Sequence, residues 1–302
     1  MGSNDKSSTW WSQDTVAVVT GANRGIGLEI ARQFAQSGIT TILTARNEER
    51  GQSTLSLLKA EGLQNVAFHQ LEVTDLKSAK DFSVWVKQQY GGLDILINNA
   101  AIVSRHYTDK RQGARDVIDT NYYGVKNVTN ALLPLIRAGG RIVNVSSRLG
   151  LLQVSSYPVY HSFHLTLNNE KLKETISVQE GLSENLIDSF VSKFLEAVNK
   201  GENFQQGWPA VDFKGTGREA FFDYSVSKIA LNAYTKLLAF QLSNKIHVNS
   251  FCPGATQTDM ADGLGEKTVK EGADTGVWLA LLAPSSNLPS GKFFAERVEI
   301  AF

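Results

Sequence analysis

The sequence predicts an α/β protein: a doubly wound parallel sheet of about seven strands in one domain spanning 1–302, with a helical insertion at 150–222. Three observations carry this. A glycine-rich turn joins an apolar strand (15–19) to an amphipathic helix (28–36). Further short apolar strands alternate with helical patterns after it. The 302 residues, 42% of them hydrophobic, suffice for a single large domain. Thirty acidic residues balance thirty basic ones, so no electrostatic argument points to nucleic acid or to an anionic membrane. A single cysteine, Cys252, excludes intrachain disulfides and suits a reducing compartment, so the cytoplasm is the expected location. The polar tail 1–13 lacks the apolar core of a secretory signal, and Trp10 and Trp11 are expected to pack on the domain. The longest apolar run, 277–283, is far short of the roughly 18 residues that a membrane span needs.

The turn Thr20-Gly-Ala-Asn-Arg-Gly-Ile-Gly27 brings backbone N–H groups and the positive end of a helix to one point. That arrangement cradles phosphate. Gly21 permits the tight turn, and Gly25 and Gly27 let backbone and helix approach a pyrophosphate. Asn23, Arg24 and Ile26 complete the candidate loop. About twenty residues on, a dinucleotide fold places an acid on the ribose, or an arginine where a 2′-phosphate is held. Here the second strand (40–44) ends in Ala45-Arg46, and the first acid after it is Glu48. Arg46, with Arg24 as a second cation, argues for NADP(H) over NAD(H).

A third strand (65–71) leads to Asp75, an expected cap for a helix whose apolar positions include Phe82, Trp85 and Val86. Strand four covers 93–97. A long helical stretch then runs to 136, and Asn121 lies in its interior, where an asparagine competes for backbone hydrogen bonds. Strand five (140–145) delivers Ser146 and Ser147 at its carboxyl end, where sites of open α/β sheets form. From Ser147 to Tyr224 there are 77 positions (224 minus 147), too many for a plain loop. Within that tract, Leu186, Ile187, Phe190, Val191, Phe194, Leu195 and Val198 make one apolar helix face over 183–198, with Ser183 as cap and Gly201 as stop.

Tyr224-Ser-Val-Ser-Lys228 opens the next helical segment, 224–242. Positions i and i+4 share a helix face, so a phenol and an ammonium can meet in one site. A neighbouring cation is expected to lower the tyrosine pKa and to tune it for proton transfer. Tyr122 and Lys126 have the same spacing but precede strand five, which is the wrong topology for that chemistry. A strand at 245–250, a helix at 269–283 and a last strand at 290–294 complete the chain.

These motifs together resemble the short-chain dehydrogenase/reductase family, and the match runs from Thr15 to Phe294 apart from the middle of the insertion. The G-x-x-x-G-x-G loop, Asn98-Asn-Ala100, Ser147, Tyr224-x-x-x-Lys228 and Pro253-Gly254-x-x-x-Thr258 carry the resemblance. It implies a Rossmann-type fold, NADPH/NADP⁺ as cofactor, and Asn121, Ser147, Tyr224 and Lys228 as the catalytic set, with Asn121 kinking its helix and holding a water that leads to the lysine. It implies cofactor contacts from Glu72 and Val73 at the adenine, from Asn99, from Tyr224 and Lys228, and from Pro253, Gly254, Thr256 and Thr258 around the nicotinamide and pyrophosphate. Glu72 stands where the family has an aspartate, and Ala101 where it has a glycine.

The inserted helix before Gly207-Trp-Pro209 is similar to the monomeric carbonyl reductase branch, which includes plant menthone/neomenthol and salutaridine reductases. In that branch the insert covers the face that others use to form tetramers, so a monomer is expected. The implied reaction reduces a small hydrophobic ketone or aldehyde, or oxidises an alcohol with NADP⁺. An NADP-binding regulator without turnover is the alternative, and loss of NADPH absorbance with a reactive ketone separates the two. Tyr157, Tyr160, Phe163, Phe213, Phe221 and Phe222 hint at an apolar substrate pocket. His161 and His164 lack the further ligands that a metal requires, so none is expected.

Overall fold

The structure, a computed structural model, describes residues 9–152, 167–177, 180–203, 205–209, 222–243, 245–285 and 287–301. Its centre is an eight-stranded sheet in the order β3-β2-β1-β4-β5-β6-β7-β8, parallel from β3 to β7. The strands are β1 (Val16–Val19), β2 (Thr40–Ala45), β3 (Val66–Gln70), β4 (Leu93–Asn98), β5 (Ile136–Val145), β6 (Ile246–Cys252), β7 (Phe293–Ala295) and β8 (Val298–Ile300). Successive side chains of a strand point to opposite faces, and the two faces bury separate cores. Val16 and Val18 enter one, Ala17 and Val19 the other. Both faces are covered, which is why β1 is apolar throughout rather than alternating.

One face carries α1 (Gly25–Gln36), α2 (Glu48–Ala60) and α9 (Val269–Leu281), through Ile30, Phe34, Leu58 and Leu279. The other carries α3 (Leu76–Tyr90), α4 (Lys110–Ile118), α5 (Gly124–Leu132) and α8 (Phe222–Gln241), through Phe82, Ile118, Val128 and Leu231. Asp75 caps α3 by accepting from the Lys77 N–H, as expected. Trp10 and Trp11 pack edge to face against the α1 side, and the Arg141 guanidinium lies 5.0 Å from the Trp10 ring centre.

Three features depart from the sequence reading, and one expected distortion is present. β8 pairs antiparallel with β7, through a two-residue turn that lacks the Asn-Gly signal of such hairpins. The helix expected to reach 136 ends at Leu132, followed by a short 3₁₀ turn containing Pro134, and β5 begins at Ile136 with a bulge against β4. Between α4 and α5 the helix widens to a π turn over Asp119–Tyr123, the expected distortion at Asn121. The insertion contains an unanticipated helix, α6 (Glu170–Ser177), before α7 (Glu184–Lys200).

α7 is capped by the Ser183 side chain and stops at Gly201 in the left-handed conformation, as its sequence predicts. It packs on α4 and α8. Trp208 is buried between Phe190 and Phe194, with ring centres 5.0 and 5.4 Å away. The pair Tyr122 and Lys126 receives a structural use here. The Tyr122 hydroxyl donates to Asp188 at 2.7 Å, and the Lys126 ammonium lies within 2.9 Å of both its oxygens and 3.1 Å from Glu184. Burial and Asp188 together push the Tyr122 phenol far above its ordinary value. His161, His164 and the aromatic residues at 157, 160, 163, 213 and 221 lie outside the described residues.

Candidate active site

The strand order reverses between β1 and β4, and a crevice forms at the carboxyl ends there. A groove of about 340 Å³ runs along those ends. At one end it is lined by Arg46, Glu72 and Val73. In the middle lie Gly21, Asn23, Arg24, Gly25 and Ile26, and at the other end Asn99, Tyr224, Lys228, Pro253 and Thr258. Thirteen of the expected site residues therefore share one cavity.

The glycine loop is held from behind. The Asn99 amide donates to Thr20 O at 2.9 Å and Gly21 O at 3.1 Å. Gly21 has φ +62, and a Cβ on Gly27 would stand 2.3 Å from the Asn99 amide nitrogen. Gly27 thus serves the packing of α1 on Asn99, and the groove lining does not include it. Asn98 ties the sheet to its helices, donating to Asn144 at 2.9 Å and Thr129 at 3.1 Å.

Both candidate 2′-phosphate ligands are solvent-facing. Arg46 is exposed at the end of β2. Arg24 is paired with Asp259 at 2.5 Å, across from the loop after β6, and Asp259 lines the same groove. The Glu72 carboxylate accepts from Thr74 N and Oγ1 at 3.2 and 3.0 Å, which shapes the turn after β3.

At the other end of the groove, Tyr224 is part of the lining and Ser147 is not, but the two side chains are hydrogen-bonded. The Lys228 ammonium sits 5.4 Å from the Tyr224 ring centre and donates to Val145 O at 2.8 Å. The electrostatics differ from the sequence expectation. Burial pushes the Tyr224 phenol above its ordinary value, Cys252 adds to the rise, and the Ser147 hydrogen bond only partly offsets it. Burial also lowers Lys228 from 10.5 to about 7. Loss of water penalises the charged form of each group, so the ammonium is itself weakened before it can stabilise a phenolate.

Asn121 is completely buried and its side chain is committed within the protein. It accepts from Ile102 N at 2.9 Å and donates to Ile102 O at 3.0 Å and Ser227 Oγ at 3.1 Å. It braces the segment after β4 against α8, and its side chain does not line the groove. Gly254 and Thr256 also lie behind the lining. The Thr256 hydroxyl donates to Pro253 O and Gly254 O at 3.3 Å, and its side chain packs against Gly272 of α9.

Two groups were missed. Asp223 is buried beside the tyrosine; one oxygen accepts the Tyr224 N–H at 2.6 Å and the other the Ser104 hydroxyl. Burial raises its carboxyl above the ordinary value. An acid in the first turn of a helix is the signal that could have flagged it. Ser146 lines the groove, 1% exposed, with no hydrogen-bond partner for its hydroxyl among the described residues. Its place beside Ser147 at the carboxyl end of β5 is the signal that could have assigned it to the site.

Comparison with known proteins fits this geometry. The short chain dehydrogenase family model matches residues 15–167 and 214–281. The chain belongs to this family. The unmatched stretch between the two blocks holds α6 and α7. Short-chain dehydrogenase/reductase 1 of Saponaria officinalis is 38% identical, over 97% of each chain. Carbonyl reductase (NADPH) 1 of Homo sapiens is 37% identical, over 93% of this chain and 96% of its own. The structure of salutaridine reductase from Papaver somniferum superposes with a TM-score of 0.79 at 33% identity, covering 93% of this chain and 99% of that one.

Proposed function

We propose that this single-domain chain is an NADPH-dependent reductase of the carbonyl group of small hydrophobic ketones or aldehydes. The hydrogen-bonded Ser147–Tyr224 pair beside Lys228, on a groove that also carries two arginines, is the observation that supports this best. The donor set suits the dinucleotide. Asn23, Arg24, Gly25 and Ile26 hold the phosphates, Arg46 and Arg24 the 2′-phosphate, and Glu72 and Val73 the adenine side. Asn99, Pro253 and Thr258 would surround the nicotinamide half, with Gly254 behind them, and Ser146, whose hydroxyl has no hydrogen-bond partner among the described residues, would offer it a polar contact. Arg24 exchanges Asp259 for the phosphate when the dinucleotide binds. Bound NADPH supplies the two reducing electrons.

Tyr224 gives its proton to the substrate oxygen, and Ser147 donates a hydrogen bond to that atom as negative charge develops there. Burial holds the Tyr224 phenol in its protonated form at neutral pH, the form that can give a proton to the substrate oxygen. Lys228 holds the ribose hydroxyls of the nicotinamide half. The protein works as a monomer, because α7 occupies the face formed by α4 and α8. The carbonyl reductase named among the relatives supports the reaction class. Tyr224→Phe tests the reading: NADPH consumption with a panel of ketones and quinones falls by roughly 10²–10⁴, while NADPH affinity stays within about twofold. A phenylalanine variant that still reduces carbonyls at the wild-type rate sinks it.

A further inference from the structure

The turn between β7 and β8 is strained and ionic at once. Glu296 and Arg297 have φ of +54 and +60, in the left-handed region that favours glycine or asparagine. Each is anchored by charge. Arg297 pairs with Asp274 at 2.5 Å, and its N–H donates to Thr275 Oγ1 at 3.1 Å. Glu296 reaches the other way, towards the candidate site. One of its oxygens accepts from Arg148 at 3.0 Å and the other from the Lys267 ammonium at 2.6 Å.

Both partners adjoin the reactive end of the groove. Arg148 directly follows Ser147 and opens the short 3₁₀ turn Arg148–Gly150, in which the Ser147 hydroxyl accepts the Leu149 N–H at 3.1 Å. That turn is pressed onto α8: a Cβ on Gly150 would lie 2.6 Å from the Lys228 backbone, and Gly150 O accepts from Asn232 at 3.1 Å. Lys267 lies over the loop after β6, with the end of its side chain 3.0–3.2 Å from where a Gly254 Cβ would be. A single carboxylate thus ties the loops that follow β5 and β6 to the tip of the β7–β8 hairpin. Non-glycine residues persist in strained conformations where the surroundings impose them, often beside functional sites.

We propose that Glu296 is a positioning residue for the reaction, clamping the Ser147–Gly150 turn and the Pro253–Gly254 segment around the nicotinamide half of the cofactor. It touches neither substrate nor cofactor; it acts through Arg148 and Lys267. This rests on the reductase reading above.

Three variants separate positioning from stability. Glu296→Ala removes the carboxylate and keeps the strain. Glu296→Gly removes both, and Glu296→Gln keeps an acceptor for one donor. With menadione and NADPH, the alanine and glycine variants lose kcat equally, by roughly five- to tenfold, although glycine melts higher than alanine. The NADPH Kd stays within about twofold, and glutamine recovers part of kcat. Wild-type kcat in either carboxylate-free variant overturns the clamp. So does kcat that follows Tm, with glycine recovering what alanine lost. Wild-type protein that fails to oxidise NADPH with any carbonyl would end the reductase reading instead. The clamp is then judged by hydrogen–deuterium exchange at Leu149 and Gly150, which rises in both variants; unchanged exchange refutes it.

Discussion

Replacing Lys228 by methionine should make the protein more stable and inactive, and the size of the gain follows from burial. Lys228 is 2% exposed, and burial lowers its pKa from 10.5 to about 7. Between those values the unfolded chain holds a proton that the folded chain has released. Unfolding then takes up a proton, so the lysine makes stability rise with pH across that window. Below about pH 7 the full cost of burial is present; above 10.5 it vanishes. At ~1.36 kcal/mol per pKa unit the cost is about 4 kcal/mol near pH 7 and about 2 kcal/mol near pH 9.

Methionine fills a similar volume without charge, but it strands Val145 O, the acceptor at 2.8 Å, at a cost of about 1–2 kcal/mol. The net gain is roughly 2 kcal/mol at pH 7, or about 3 °C in Tm for a chain of 302 residues, shrinking towards zero by pH 9. Differential scanning calorimetry of both proteins without cofactor, at pH 7, 8 and 9, measures it. A methionine variant that melts below wild type at pH 7, or an offset that ignores pH, refutes the burial argument.

Two further outcomes test the cofactor and the insertion. Arg46→Ala should weaken NADPH binding by about 10–100-fold, the loss of one charge-assisted contact to a phosphate, and leave NADH almost unaffected; equal losses for both cofactors, by fluorescence titration, would remove Arg46 from the 2′-phosphate site. Asp188→Ala should cost about 2 kcal/mol by stranding the buried Tyr122 hydroxyl and stripping Lys126 of its nearer carboxylate. Its Tm should drop by several degrees, whereas light scattering of the wild type should give the mass of one chain.

Much of the site was legible because its chemistry is local in sequence. The strand–glycine loop–helix unit, the serine at the end of β5 and the Tyr224/Lys228 spacing each lie within a few residues, and each predicts its own backbone geometry. The use of Tyr122 and Lys126 was not legible, since it depends on Asp188, 62 positions from Lys126 along the chain. Glu296 escaped for the same reason, as Arg148 and Lys267 belong to other loops, and so did the pairing of Asp223 with Ser104.

The pKa values mark the boundary most sharply. Residue identity determined which groups could transfer a proton and on which helix face they would meet, because helical periodicity is a property of adjacent residues. Whether the ammonium would be strong enough to lower the phenol was decided by how much water the fold leaves around Lys228. Desolvation comes from every element packed around a group, so no short stretch of sequence contains it. Only the assembled tertiary structure makes Tyr224 a protonated donor beside a weakened lysine.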